Sequence, residues 1–392
     1  MITKFIILVV AIEISLQILV QKTKKIFQWF LMPEDIFPEF NKNKYNNYIR
    51  NSFSKKFGWV RKSKLIGFDR LNNKKIKFSI NKDGYRKNIN SKKKKLYASF
   101  GGSYVFGRQV KDFQTWQEQI SKKSNFNILN YGIGNYGTDQ AILRYKYTKF
   151  SKDTRYVILG IVPEHICRIQ SEWKHFFEFG NIHGFKPKFY LKDNKLLLKK
   201  NPLDKNTKIK NIYKIIQRCK KTDRFYEEKF KKNIFKFPYL LTFARNFKFN
   251  LKIIFLYLFY KNNKNINDFF LKEIMKRNIK EAHNYYNDYY SIKLFKSLIK
   301  YYVNIAKKKN HIPYLIILPQ LMDIKFRKTN RYYVNFFKNE ISKELKVLDL
   351  TKFFERKKID KLFTNRHYGG HLTPSGNNYV ANIINRFLKE NV

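Results

Sequence analysis

Five short apolar runs, separated by longer amphipathic stretches, most constrain what this chain can fold into. They occupy residues 96–100, 127–131, 156–161, 313–318 and 346–350. Continuous runs of this kind are typical of parallel strands that are buried on both faces. Helical spacing lies between and after them, over residues 116–123, 139–150, 268–280, 283–309 and 375–390. Thr115 and Thr138 are the candidate N-caps of the first two helices. The sequence therefore predicts a three-layer α/β/α sandwich around a central, mostly parallel five-stranded sheet.

The length of 392 residues allows one large domain or two ordinary ones. Hydrophobic residues make up 43% of the chain and aromatic residues 18%, so a buried core is expected and disorder is not. We expect a polar, irregular extension over residues 22–95 and the main domain over residues 96–392. Residues 163–280 interrupt the strand–helix alternation, which predicts a mostly helical insertion that covers the site or binds a partner.

The amino terminus is apolar over residues 2–20, close to the ~20 residues that a membrane-spanning helix needs. Glu13 lies near the middle of this run and is costly in hydrocarbon unless it is protonated or paired. No small-residue cleavage site follows, which favours an uncleaved single-pass anchor over residues 1–21. An amphipathic helix that lies on the membrane or packs on the domain is the alternative. A second apolar run, residues 251–260, is too short to span and is expected in the core or at an interface.

The net charge is +53, from 82 Lys and Arg residues against 29 Asp and Glu residues. The lysines are spread along the chain and come with abundant Asn, Ile, Phe and Tyr, a mixture that drift toward A/T-rich codons produces. A polyanionic partner is the alternative, but no nucleic-acid-binding motif accompanies the charge, so nucleic acid is not expected. The two cysteines, Cys167 and Cys219, are too few for a disulfide framework or a zinc site. They form one bridge or two free thiols.

Three glycine-bearing loops carry the candidate chemistry. Residues 100–107 read Phe-Gly-Gly-Ser-Tyr-Val-Phe-Gly. This turn leaves the Ser103 hydroxyl at the sheet edge, where a nucleophile has to lie, although such a turn alone is more often structural. Residues 130–140 offer backbone N–H groups to an oxyanion or a phosphate. The third loop carries His367 and His371 just before the last predicted helix. Because ligands of open α/β sheets bind at the carboxyl ends of the strands, the loops are expected to converge.

Together the three loops resemble the sequence blocks of the SGNH/GDSL hydrolase superfamily, which has a flavodoxin-like fold. Residues 100–107 resemble its first block, commonly Gly-Asp-Ser-x-x-x-Gly, with Ser103 at the nucleophile position. Residues 130–140 resemble its second block, whose backbone contributes to the oxyanion hole. Residues 371–377 resemble its last block, with His371 at the base position and His367 as the alternative base. The order of the blocks agrees, and the resemblance extends over about residues 96–390.

The chain departs from the family pattern at four places. Gly102 replaces the aspartate before the serine, and Asn135 replaces the glycine of the second block; asparagine tolerates left-handed backbone better than most residues. No Gly-x-Asn-Asp block follows the third strand, and Tyr368 stands where the acid three residues before the histidine is usual. A missing oxyanion donor costs ~10²–10³ in rate, and a missing orienting acid ~10⁴. A slow Ser–His dyad, a specialised variant and a degenerate enzyme-like fold all stay open.

Several residues are candidates for the missing groups. Glu164, His165 and Arg168 follow the third strand and could bind substrate or replace the donor, although a solvated helix start is the plainer explanation. Asn365 and Asp360 are candidates for the role of the acid. The expected oxyanion and substrate-binding residues are Gly102, Gly134, Asn135 and Glu164.

The resemblance implies serine-dependent acyl-ester hydrolysis or acyl transfer without a metal or organic cofactor. With the anchor and the basic surface, we expect a glycan, lipid or small-molecule ester substrate in a bacterial cell envelope, with the domain on the periplasmic side. Lys22, Lys24 and Lys25 favour the opposite orientation, with the domain in the cytoplasm, so both orientations stay open. A catalytically degenerate scaffold or glycan-binding protein of the same fold is the alternative. The oligomeric state is not indicated.

Overall fold

The computed structural model describes residues 1–27, 30–71, 74–89, 95–326, 332–354 and 359–391. The strands are β1 (Phe53–Ser54), β2 (Gly58–Trp59), β3 (Ile66–Leu71), β4 (Lys74–Ser79), β5 (Lys95–Gly101), β6 (Phe126–Asn130), β7 (Thr154–Ile161), β8 (Lys188–Lys192), β9 (Lys195–Lys199), β10 (Ile312–Ile317), β11 (Lys346–Asp349), β12 (Phe363–Asn365) and β13 (Gly369–Leu372).

The helices lie between and around these strands. They are α1 (Ile2–Phe27), α2 (Lys42–Asn51), α3 (Ser103–Phe106), α4 (Trp116–Lys123), α5 (Thr138–Tyr147), α6 (His165–Arg168), α7 (Lys174–Phe177), α8 (Ile209–Thr222), α9 (Tyr239–Ala244), α10 (Phe247–Tyr260), α11 (Ile266–Asn284), α12 (Tyr289–Lys308), α13 (Leu321–Phe326), α14 (Tyr332–Phe336), α15 (Thr351–Phe354) and α16 (Pro374–Lys389).

The central sheet has five strands in the order β11-β10-β7-β5-β6. Every pairing in it is parallel. All five predicted strands are therefore confirmed, with ends that differ by one or two residues. The apolar runs were continuous because each strand is covered on both faces, as parallel strands usually are.

Alternate residues of the strands enter two separate cores. Phe100 and Leu159 pack with helices α5 and α12 on one face. Tyr97 and Ile158 pack with α4 and α16 on the other. The predicted three-layer sandwich is therefore confirmed, and the carboxyl ends of the central strands β5 and β7 open on one edge.

The candidate N-caps behave differently. Thr115 caps α4 by accepting a hydrogen bond from the Glu118 N–H, as predicted. Thr138 does not cap α5, because Gly137 holds the cap position. The Thr138 hydroxyl instead lies 3.2 Å from Nδ1 of His165, so a side chain on another element determines its role.

The region before the sheet is more ordered than its polarity suggested. Residues 30–71 include helix α2 and the hairpin β1–β2, and their side chains Leu31, Phe40 and Tyr45 join the main core. The region after β7 is largely helical, but it also contains the antiparallel hairpin β8–β9.

Cys167 and Cys219 are both free and buried, so they do not form a bridge.

Helix α1 is long and apolar enough over Ile2–Lys25 to cross a membrane. A signal sequence has the same properties. Its carboxyl-terminal half packs against α9 and α10, where Leu16 and Val20 meet a cluster that includes Tyr239 and Ile253. Glu13 is paired there: one carboxylate oxygen accepts a hydrogen bond from the Leu240 N–H at 2.8 Å, and the other accepts one from the Tyr239 N–H.

Candidate active site

One cavity of about 780 Å³ lies at the carboxyl ends of β5 and β7. Three of the predicted groups reach it from the three glycine-bearing loops: Ser103, Asn135 and His371. Gly102 and Glu164 also line it. Segments that are far apart in the sequence therefore meet at one edge of the sheet, as the placement of the loops after the strands led us to expect.

Ser103 begins helix α3 directly after a tightly packed turn. A Cβ on Gly101 would lie 2.2 Å from the Gly160 carbonyl oxygen, and one on Gly132 would lie 2.3 Å from the Phe106 backbone nitrogen. Any side chain at these two positions would have to move backbone atoms. The glycines thus let the turn approach the neighbouring strand, which holds Ser103 at the cavity wall.

His371 is oriented by Gln109. Its Nδ1 lies 3.2 Å from Oε1 of Gln109, and its backbone N–H donates to Oγ1 of Thr364 at 2.9 Å. The Thr364 hydroxyl donates in turn to the same Gln109 oxygen at 3.0 Å. Since Nε2 of Gln109 donates to the Arg70 carbonyl at 3.1 Å, its Oε1 is the end that faces the histidine. Nδ1 of His371 therefore carries the proton, and Nε2 is left with a lone pair.

Gln109 occupies the role that the sequence comparison left to an acid. Asn365 does not fill it, because its side chain accepts from the backbone N–H groups of His367 and Tyr368 and donates to Asp268 at 2.8 Å. The side chain of Asp360 lies outside the described residues. Gln109 was missed because it lies 262 residues before His371 and belongs to no recognised block.

The segment before the sheet holds Gln109 in place. Gln109 has a left-handed backbone, φ 65°, which a non-glycine residue adopts only when its surroundings fix it. Its N–H donates to Asp69 at 3.0 Å. The buried Arg86 guanidinium donates to the carbonyls of Phe106, Gly107 and Val110 at 2.6–2.7 Å and pairs with Asp112 at 2.7 Å. Asp69, Arg70 and Arg86 thus support the loop that orients the histidine.

The surroundings of His371 keep its ring neutral. The pKa of His371 is lowered to about 3, first by burial and then by the Arg108 and Arg168 cations, with Asp69 partly opposing them. A neutral ring is ready to accept a proton at every ordinary pH. It is also a weak base, because no carboxylate of the described residues contacts it to stabilise the imidazolium form.

The second loop presents its backbone to the cavity at Asn135. This residue has φ 69°, a left-handed conformation that asparagine tolerates better than most other non-glycine residues. Its side chain donates to Asn181 at 3.3 Å. The asparagine therefore keeps the backbone shape of the block without the glycine.

His165 lies beside Gly102, the residue before the candidate nucleophile. A Cβ on Gly102 would lie 3.1 Å from Nε2 of His165 and 3.1 Å from the Tyr136 carbonyl oxygen, so a larger residue would press on the ring. Burial holds the pKa of His165 well below its ordinary value, and the nearby Arg168 and Lys174 cations lower it further. A neutral imidazole therefore borders the turn that carries the serine.

Glu164 contacts the cavity but cannot serve as an oxyanion donor. Its Oε2 accepts a hydrogen bond from Nη2 of Arg168 at 2.9 Å, and an ionised carboxylate has no proton to donate. Arg168 also donates to the Tyr136 carbonyl at 3.3 Å. Of this pair, the guanidinium is the group suited to an anionic or polar part of a substrate.

Two other predicted residues lie away from the cavity lining. The Gly134 carbonyl accepts a hydrogen bond from Nε1 of Trp59 at 3.0 Å. The His367 ring packs on Phe269 with ring centroids 5.0 Å apart. His371 is thus the histidine of the third loop that lines the same cavity as Ser103.

No family model matches the chain, and no curated protein matches it. Among solved structures, the chain is similar to a proposed lipolytic protein of the G-D-S-L family from Desulfitobacterium hafniense DCB-2. The two share 11% identity with a TM-score of 0.35, over 74% of this chain and 98% of the other. The chemistry of the present chain is therefore inferred from its own side chains.

Proposed function

We propose that the chain is a serine-dependent acyl-ester hydrolase or acyltransferase of the SGNH/GDSL kind. The observation that carries this proposal is the meeting of Ser103 and His371 on one cavity, with the histidine held by Gln109 in the tautomer that a general base requires.

In the proposed reaction, the Ser103 hydroxyl attacks the acyl carbon of an ester. Nε2 of His371 accepts the serine proton as the bond forms, and then donates it to the leaving alkoxide, which leaves an acyl-serine. Water or an acceptor hydroxyl then attacks the acyl carbon by the same route and restores the serine. Among the described residues, no hydrogen bond joins the Ser103 hydroxyl to His371, a separation that is common before substrate binds.

The developing oxyanion requires donors, and the chain has three candidates. Two are the backbone N–H groups of Gly102 and Asn135. The third is His165: if the Thr138 hydroxyl donates to its Nδ1, the ring carries its proton on Nε2, beside Gly102. In this arrangement His165 replaces the missing side-chain donor of the third block.

The amino-terminal helix and the net charge favour one class of ester substrate. An amino-terminal helix able to cross a membrane and a net charge of +53 favour an ester on an anionic glycan or lipid close to a membrane. We place the domain on the periplasmic side of a bacterial envelope. Water as acceptor gives an esterase, and a sugar hydroxyl gives an O-acyltransferase.

The test is hydrolysis of p-nitrophenyl acetate by the purified full-length protein and its Ser103→Ala variant. We expect the variant to lose at least 10³-fold in kcat, the scale at which a removed nucleophile acts. Ser124→Ala is the matched control, because the Ser124 hydroxyl lies at the end of α4, away from the cavity lining, where it donates to the Ile120 carbonyl and accepts from the Phe126 N–H. Equal hydrolysis by Ser103→Ala and the native protein would refute the assignment.

A non-catalytic scaffold or glycan-binding protein is the second candidate. The neutral Gln109 and the weakly basic His371 favour it, because both are changes that an enzyme under selection for rate would avoid. Binding of an anionic polysaccharide by the native protein, without hydrolysis of any ester supplied, would support this candidate.

A further inference from the structure

The helices α9 and α10 present a broad apolar surface to the outside. Its exposed side chains are Phe237, Leu240, Leu241, Phe247, Phe255, Leu258, Phe259 and Tyr260. Exposed apolar surface of this extent marks a contact with a partner or with lipid. Helix α10 has 14 residues, about 21 Å at 1.5 Å per residue, and is too short to cross a bilayer.

The pairing of α1 with α9 indicates which partner covers this surface. The Glu13 carboxylate accepts from the backbone N–H groups of Tyr239 and Leu240, and all of these groups would be costly in hydrocarbon if left unpaired. Together they satisfy one another without water. Leu240 and Leu241 then extend outward beside the helix that can cross a membrane.

The spacing of residues along α1 gives the depth at which α9 would lie in the membrane. Glu13 precedes Lys22 by nine residues, which is about 13 Å along a helix. With Lys22 at the membrane surface, α9 begins at that depth in a hydrocarbon core about 30 Å thick. If α1 crosses the membrane and keeps its contact with α9, the exposed surface of α9 lies in hydrocarbon and not in water.

The inner side of the same region forms part of the cavity. Phe249 and Asn250 of α10, with Phe30 and Phe235 beside them, line the space that Ser103 and His371 also line. The wall toward α10 therefore carries aromatic rings as well as the polar Asn250. The edge that carries Ser103 has more polar groups: Arg168 lies there, and among the described residues the buried Oε1 of Gln320 has no hydrogen-bond partner.

We propose that α9 and α10 lie in the bilayer beside α1 as a second membrane contact, and that the cavity takes its substrate from the lipid phase. The substrate class is an amphiphile with an acyl chain, whose tail lies along the α10 wall and whose polar ester group reaches Ser103. The proposed membrane contact depends only on the exposed apolar surface and on the pairing of α1 with α9. The substrate class rests on the proposed ester chemistry.

Fluorescence labelling tests the proposed membrane contact independently of catalysis. Leu258→Cys and Phe113→Cys, each labelled with an environment-sensitive NBD fluorophore, are compared in full-length protein reconstituted in vesicles of phosphatidylcholine and phosphatidylglycerol. Both side chains are 52% exposed, which makes Phe113 the matched control, and the native thiols are buried and will label poorly. We expect lipid-attached nitroxide to quench the label at 258 severalfold more than the label at 113, and aqueous iodide to do the reverse. Equal quenching at both positions would overturn the membrane contact.

Enzyme kinetics tests the proposed substrate class. Leu258→Lys places a charge in the proposed contact, and Phe113→Lys places the same charge elsewhere. We expect Leu258→Lys to lose about tenfold in kcat/KM on a long-chain ester dispersed in the vesicles, with p-nitrophenyl acetate hydrolysis unchanged, and Phe113→Lys to lose neither. Equal rates on the vesicle ester would overturn lipid-phase access. Failure of the proposed serine chemistry is a separate outcome. In that case Ser103→Ala would still hydrolyse p-nitrophenyl acetate.

Discussion

Gln109→Glu changes the group that orients the catalytic histidine from neutral to charged. The replaced oxygen lies 3.2 Å from Nδ1 of His371. Two unit charges about 4 Å apart interact by about 4 kcal/mol at an effective dielectric constant of about 20, and each pKa unit corresponds to about 1.4 kcal/mol. Burying the new carboxylate offsets part of this gain. We therefore expect the pKa of His371 to rise from about 3 by roughly 1–3, the usual effect of an adjacent opposite charge.

The assay is the pH dependence of kcat/KM for p-nitrophenyl acetate, which reports the pKa of the base in the free enzyme. The native protein should hold its plateau from about pH 8 down to about pH 5, where a histidine of ordinary pKa would already be protonated. The variant should lose activity at a higher pH, at a midpoint of roughly 4–6, and its plateau should rise about threefold to tenfold because its base is stronger. Gln119→Glu adds the same charge away from the histidine and should leave the profile unchanged. A native acid limb near pH 6.5, or an unchanged profile in Gln109→Glu, would refute this account of the base.

Three further predictions follow from buried groups. Arg86→Met should lower the free energy of unfolding by about 3–5 kcal/mol in urea titrations, because it removes one partner of a buried ion pair and the side-chain donor to the Gly107 and Val110 carbonyls, while the Phe106 carbonyl keeps its bond from Asn130. The exposed Arg155→Met should change it by less than about 0.5 kcal/mol. His165→Leu should lower kcat by about 10²–10³ with KM nearly constant, because the lost donor acts in the transition state, and a folded variant with unchanged kcat would remove His165 from the oxyanion hole. Burial depresses the pKa values of His165, His175 (about 4) and His371 (about 3), so the folded state excludes protons that the unfolded chain binds below about pH 6.5. Stability should therefore be full above about pH 7 and fall by roughly 2 kcal/mol per histidine by about pH 5, and equal urea midpoints at the two pH values would contradict this sign.

The sheet was predictable from the sequence because burial on both faces leaves a continuous apolar run at each strand. The turns were predictable for a related reason. Gly101 and Gly132 lie where a Cβ would strike backbone atoms, so local residue type records the local geometry. The placement of Ser103 and Asn135 on one cavity then followed from parallel topology, which brings the ends of successive strands to one edge, whereas His371 reaches the cavity from β13, outside the central sheet.

The supporting groups were not predictable, because each depends on a contact between distant elements. Gln109 meets His371 across 262 residues, and the only unusual local feature of Gln109, its left-handed backbone, is invisible in the sequence. Thr138 looked like a helix cap, yet its hydroxyl lies against His165. Glu13 looked like a cost in a membrane helix, yet the backbone N–H groups of α9 satisfy it. Short polar side chains have several possible partners, and only the assembled fold selects one.

The most direct test of the central claim is covalent labelling of the full-length protein with a fluorophosphonate, followed by peptide mass analysis. We expect one phosphonyl group on Ser103, at least 10²-fold slower labelling in His371→Gln, and native labelling in Ser124→Ala. An unlabelled Ser103, or labelling that is equally fast without the imidazole of His371, would contradict a serine nucleophile activated by that base.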